Sequence, residues 1–131
     1  MDFSIDAALQ ADHDRLRAFV RDEIVPLEAD RKNYDSYGNI DMAVLQTLRA
    51  KVKAAGLWAP QIPREQGGLG YGPTGMAVLY EAMNYSIFGP VAFNCAAPDD
   101  GNMYILNKVA NQAQKDRWLT PIINGDVRSS F

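Results

Sequence analysis

The 131-residue chain has a single cysteine and a single histidine. Cys95 alone cannot form an internal disulfide, and no cysteine-based zinc site can be assembled around it. His13 has no second histidine to share a metal with, so no metal site is expected. A reducing compartment suits such a sequence. Long uncharged runs are missing too, because Gly and Pro punctuate every apolar stretch, and no segment reads as a membrane span. The opening "MDFSIDAALQADHDRL" is acidic from Asp2 onward and lacks the charged-then-apolar layout of a signal peptide, so a cytoplasmic location is expected. Net charge is −3 with no basic block or stripe, which argues against a nucleic-acid partner. What remains, 47% apolar and 22% charged, is the composition of a soluble globular domain, long enough to bury one core.

Charge is scarce in one place. Between Gln66 and Pro98 the only charged side chain is Glu81. Charged side chains dominate exposed positions, so this middle third is expected to face protein or ligand on most sides.

Apolar spacing is helical nearly throughout. Leu9, Leu16, Val20, Ile24 and Leu27 form a first stripe, which Pro26 should kink or end. "NYDSYGNID" reads as a loop. Asp41 is placed to cap a second helix with Leu45, Leu48 and Val52 inward, and Gly56 to stop it. Pro73 suits the first turn of a third, mostly apolar helix ended by Gly89-Pro90. A fourth should run from Asp99 or Asp100 through Val109. A fifth, about Gln112 to Ile123, should carry Trp118, Leu119, Ile122 and Ile123 inward and stop at Asn124-Gly125. The final "VRSSF" is strand-like. A strand without a partner leaves its backbone groups unpaired, so residues 1–125 are expected to be a helical domain and residues 126–131 the first part of a β-domain.

Five glycines fall between Gly67 and Gly75, and "GYGPTG" matches the spacing of a dinucleotide-binding loop. That motif requires a preceding strand and an acid about twenty residues on. The preceding "APQIPREQGG" contains two prolines and no β-branched run, and no acid follows Gly75 within reach except Glu81 until Asp99. The glycines read instead as a sharp turn between helices. His13, between Asp12 and Asp14, is expected at the surface. Glu81 is expected to point to a helix end or a loop amide. Cys95 is expected to be a small buried residue, and the Tyr71, Tyr80, Tyr85 and Phe88 group to be core or interface.

Two stretches carry a family resemblance. "P-x-E-x-G-G-x-G" occurs at Pro63 to Gly70, and "Q-K-x-x-[WY]-L-x-P-x-x-x-G" at Gln114 to Gly125. At this separation, in an all-helical context, they resemble the N-terminal domain of the acyl-CoA dehydrogenase family. The resemblance covers essentially the whole chain. "VAFNCAAPDDGNMYIL" resembles the branch that some organisms fuse to a kinase-like domain and that is linked to 4-hydroxyacyl-CoA breakdown.

The resemblance implies an all-α N-terminal domain of about five helices, cut where a middle β-domain begins, with a C-terminal helical bundle to follow. It implies FAD held between the later domains and acyl-CoA as substrate. A carboxylate base removes the α-proton while hydride leaves the β-carbon for the flavin, giving 2-enoyl-CoA. It also implies an electron-transfer flavoprotein or similar acceptor, and a homo-oligomer. The base and most flavin contacts would lie beyond residue 131, so no catalytic residue is assigned in this stretch. The share implied for this domain is part of the acyl pocket, around Asn94, Cys95, Pro98, Asp99 and Met103. Asn94 and Asp99 are unusual for a plain fatty-acyl pocket and could meet a hydroxyl or phosphate on the acyl group. Asp99 reads equally as a helix cap. An acyl-CoA oxidase or flavin monooxygenase on the same scaffold, and a helical interaction module without chemistry, are the alternatives.

Overall fold

The computed structural model describes residues 4–130. It is helical, and among the described residues the sole β-type pairing is an isolated bridge between Tyr34 and Ile40. Among the described residues no helix is long and apolar enough to cross a membrane. Phe131, the end of the strand-like stretch, lies outside the described residues, and residues 127–130 form no strand.

Helix α1 (Ala7–Phe19) starts at Asp6, whose carboxylate accepts the amides of Ala8 and Leu9. Leu16, Val20 and Ile24 are buried at four-residue steps. Pro26 acts as anticipated. The helix widens into a π turn (Val20–Ile24), with the Val25 amide bonding back to the Val20 carbonyl, and then tightens into a 3-10 turn (Val25–Ala29) with proline in its first positions. Helix α2 (Met42–Ala54) has Asp41 as its cap and buries Leu45, Leu48 and Val52, with Gly56 left-handed just past its end.

The glycine-rich stretch is a turn. The amides of Gly67, Gly68, Gly70 and Tyr71 donate to the carbonyls of Arg64, Pro63, Ile62 and Pro60, folding 60–71 back on itself. A β-carbon on Gly68 would collide with the backbone oxygens of Ile62 and Ala59. The turn delivers α3 (Pro73–Met83), which packs chiefly on α1 and buries Met76, Leu79, Ala82 and Met83.

Three expectations need correction here. Gly89-Pro90 do not end α3, which stops at Met83; they open a four-residue helix, α4 (Gly89–Ala92), because proline is favoured at a helix start. The charge-poor window is only partly interior, with Tyr85 and Ile87 59% and 69% exposed. His13 is not a freely exposed side chain: it is 12% exposed, with its Nδ1 3.1 Å from Asp14 Oδ1. Glu81 is exposed.

Helix α5 (Asp99–Val109) keeps the expected bounds. The last helical run starts at α6 (Gln112–Gln114) with a capping box from Asn111, continues as a π turn (Lys115–Leu119) and ends as α7 (Thr120–Asn124). Leu119, Ile122 and Ile123 are buried as expected, but Trp118 is 46% exposed. In the π turn the Thr120 amide bonds to the Lys115 carbonyl, so each residue turns through less than the α-helical angle and Trp118 leaves the inward stripe.

The end of α7 is closed by side chains. Helix C-termini leave four carbonyls without amide partners. Here Asn94 Nδ2 donates to Ile122 O (3.0 Å) and Ile123 O (3.2 Å), and Trp58 Nε1 to Ile123 O (2.9 Å). Lys53 Nζ donates to Asn124 O (2.6 Å), and Arg49 to Gly125 O (3.3 Å). Arg49 is 3% exposed, also donates to Val91 O from α4, and lies 5.6 Å from the centre of the Trp58 ring. Gly125 is left-handed, and a β-carbon there would sit 2.9 Å from the Trp58 indole.

Two substitutions test this architecture. Arg49→Ala orphans carbonyls on two helices and should destabilise the fold by about 3 kcal/mol. Gly68→Ala meets backbone that cannot step aside and should cost about 2 to 4 kcal/mol. Urea denaturation of each variant checks both figures.

Candidate functional site

A cavity of about 480 Å³ lies between the loop at Gln61 to Pro63, the start of α3 and one face of α5. Its apolar walls include Ile62, Tyr71, Met76, Met103 and Tyr104; Gln61, Asp100 and Asn107 supply polar atoms. Gln66 and Asn107 exchange side-chain amide hydrogen bonds of 3.3 and 3.4 Å, tying the loop to α5.

Of the five residues singled out from the sequence, Met103 lines this cavity. Asn94 does not. It is 2% exposed with φ at 61°, a left-handed conformation that asparagine tolerates better than most residues. Its amide is engaged by the α7 carbonyls and by Arg49 (3.5 Å). Cys95 sits behind the wall and donates from Sγ to Gln61 Oε1 at 3.1 Å. Burial, with the Asp100 charge adding to it, pushes the thiol well above its ordinary pKa, which keeps it protonated and unreactive. Pro98 borders a separate, open groove with Ala97 and residues 128–130.

Asp99 is neither a cap nor a cavity residue. The N-cap position is Pro98, and the Asp99 carboxylate, 2% exposed, faces residues 128–129.

Sequence reasoning missed Gln61, Tyr80 and Asp100 as parts of one wall. Tyr80 Oη donates to the Cys95 carbonyl at 2.7 Å and makes a longer contact of 3.4 Å to Asp100 Oδ2. Gln61 Nε2 donates to the Asn94 carbonyl at 2.8 Å. The aromatic and apolar content of the charge-poor window was the available signal for Tyr71, Met76 and Tyr80. Gln61 carried none, lying in a proline-flanked loop.

Neighbouring aspartates on α5 thus have opposite environments. Burial pushes Asp99 up, but hydrogen bonds from the Ser129 amide and Arg128 outweigh it and hold the carboxyl below its ordinary value of 3.8. Burial pushes Asp100 above 3.8, and the hydrogen bonds from Tyr80 and Gln61 offset only part of that. Their linkage signs differ. The Asp99 contribution to stability is fully present above pH 3.8 and is lost as pH falls through its lower folded value. For Asp100 the folded state binds more protons between 3.8 and its raised folded value, so stability falls as pH rises through that window. Asp100→Asn should therefore raise the melting temperature at neutral pH and leave it unchanged well below pH 3.8. Thermal melts across that pH range check it.

Comparisons with known proteins agree on the scaffold. Residues 7–126 match the family model described as acyl-CoA dehydrogenase, N-terminal domain. FadE2 of Mycobacterium tuberculosis, assigned as an acyl-CoA dehydrogenase, is 36% identical over an alignment covering 100% of this chain and 33% of FadE2. Acyl-CoA dehydrogenase family member 10 of Mus musculus is 33% identical, covering 91% of this chain and 12% of that protein. The solved structure of an assigned acyl-CoA dehydrogenase from Mycobacterium abscessus superposes with a TM-score of 0.81 at 33% identity, covering 96% of this chain and 34% of that one. The chain thus spans between 12% and 34% of the length of these relatives. With its helical architecture, its turn at residues 60–71 and a family match across nearly all of its length, it belongs to the acyl-CoA dehydrogenase family and comprises that family's N-terminal domain.

Proposed function

We propose that this chain is the N-terminal portion of an FAD-dependent acyl-CoA dehydrogenase and that the cavity between α3 and α5 forms part of its acyl-binding wall. The observation that carries the reading is the cavity itself: a largely apolar space of about 480 Å³ with few polar groups, built on the family's N-terminal scaffold. Acyl chains need such a wall to exclude water, with a small number of polar atoms to orient them. Tyr71, Met76 and Tyr104 are assigned to chain contact, with Met103, fully buried, backing them. Asn94, Cys95 and Asp99 support the wall from behind, and Pro98 flanks the neighbouring groove.

The glycine-rich turn does not fit a dinucleotide, because four of its amides are already committed to carbonyls of residues 60–64. In this reading FAD is held by the rest of the protein and supplies the hydride acceptor for the β-carbon. The carboxylate base that takes the α-proton also lies there, with residues 126–131 leading into a β-domain. An electron-transfer flavoprotein as acceptor and a homo-oligomeric assembly complete the proposal.

The test uses the full-length protein. Acyl-CoA added anaerobically should bleach the flavin's visible absorbance; colour that persists with every thioester tried overturns the reading. Peroxide formed in air without another acceptor would mark an oxidase instead. Gly101→Phe, at a cavity-lining position where a β-carbon meets open space, should narrow the cavity and raise KM for long acyl chains on the order of tenfold, with short chains spared. Unchanged KM across chain lengths removes the cavity from the acyl site.

A further inference from the structure

Asp99 is held in an unusual way for a carboxylate at a helix start. Its Oδ1 accepts the Ser129 amide at 2.6 Å and the Ser129 hydroxyl at 2.8 Å, while Oδ2 accepts Arg128 Nε at 2.9 Å. Asn102, one turn along α5, donates from Nδ2 to Ser129 Oγ at 2.9 Å. Two side chains on one face of α5 thus grip two consecutive residues that lie just past the family match ending at residue 126. The next residues of the same helix, Asp100, Gly101 and Met103, border the cavity. The clamp contributes stability, and because it ties α5 to residues 29 and 30 positions further along the chain it also fixes how the two segments lie together, the best-attested use of a partly buried ion pair.

We propose that Asp99 is a positioning residue, clamping the exit segment at Arg128 and Ser129 to the α5 wall so that wall and exit segment move as one body. The consequence for substrate rests on the acyl-cavity reading above, whereas the clamp itself does not. Freed from Asp99, the exit segment no longer holds α5 against whatever follows in the chain, and the cavity loses its fixed wall. Affinity for the acyl group then suffers more than turnover.

The experiment uses the full-length protein with Asp99→Asn, Asp99→Glu and Arg128→Gln. Arg128 is 35% exposed, so its variant keeps the test open if Asp99→Asn does not fold. Amide hydrogen exchange at Ser129 should rise about tenfold in Asp99→Asn, the loss of one charge-assisted hydrogen bond, with α2 and α7 unchanged. KM for acyl-CoA should rise several-fold in Asp99→Asn and Arg128→Gln with little change in kcat, and Asp99→Glu should recover part of both effects. Wild-type exchange at Ser129 in Asp99→Asn overturns the clamp. Faster exchange with unchanged KM overturns the positioning role. If the wild-type protein turns over no acyl-CoA, the proposed function fails while the exchange result still decides the clamp.

Discussion

Four carbonyls at the end of α7, from Ile122 to Gly125, accept side-chain donors from Arg49, Lys53, Trp58 and Asn94, with the Gly125 amide also reaching Ile122 O. A buried carbonyl without a partner costs more than a typical hydrogen bond contributes, so this junction leaves little freedom to its donors. Arg49 must keep its guanidinium in the gap between α2, α4 and α7. Burial and the nearby Arg128 charge lower its pKa, and Asp99 offsets part of that. Asn94 must keep its left-handed backbone to present both amide hydrogens to α7. From Asn94 the constraint runs outward: its carbonyl accepts from Gln61, Gln61 accepts from Cys95, and the Cys95 carbonyl accepts from Tyr80. The polar edge of the cavity is the far end of that chain of contacts.

Helix α5 divides its work between faces. Consecutive residues on a helix point about 100° apart, so Asp99 and Asp100 cannot share surroundings. Three donors converge on Asp99, as a structural carboxylate requires when it is buried. Asp100 borders an apolar space and has only weak support, which is how groups in binding sites come to have displaced acidities. Sequence cannot separate two adjacent aspartates in this way, because the distinction lies in what the rest of the chain brings to each side.

Local signals were legible where one residue type has one physical use. Asp41 as a cap, Gly56 and Gly125 as left-handed stops, Pro73 at a helix start and Pro26 as a disruption all follow from backbone chemistry within a few residues. The reading failed where the answer depended on distant partners. Asp99 suited a cap by position, yet residues nearly thirty places on hold its carboxylate. His13 has the sequence neighbours of a surface residue, yet its side chain is largely covered in the folded chain. The family motifs were legible because their glycines and prolines have fixed backbone uses: the first makes a turn whose tightest point at Gly68 admits no side chain, and the second opens α7 at Pro121 and stops it at Gly125. The cavity was only half legible: the charge-poor window contains several of its apolar residues, while Gln61 and Asp100 lie outside that window.

The π turn at Lys115–Leu119 also sets the optical character of the molecule. The chain has two tryptophans, and by turning Trp118 outward the turn leaves them in opposite environments. Trp58 is 7% exposed, with Lys53 and Arg49 near its ring and its indole nitrogen bound to the Ile123 carbonyl. Trp118 is 46% exposed beside the Arg117 guanidinium. A quencher dissolved in water reaches the second indole and not the first. Fluorescence from this one chain therefore separates into a surface component and a component from the α2–α7 junction, so that junction can be followed without an added label.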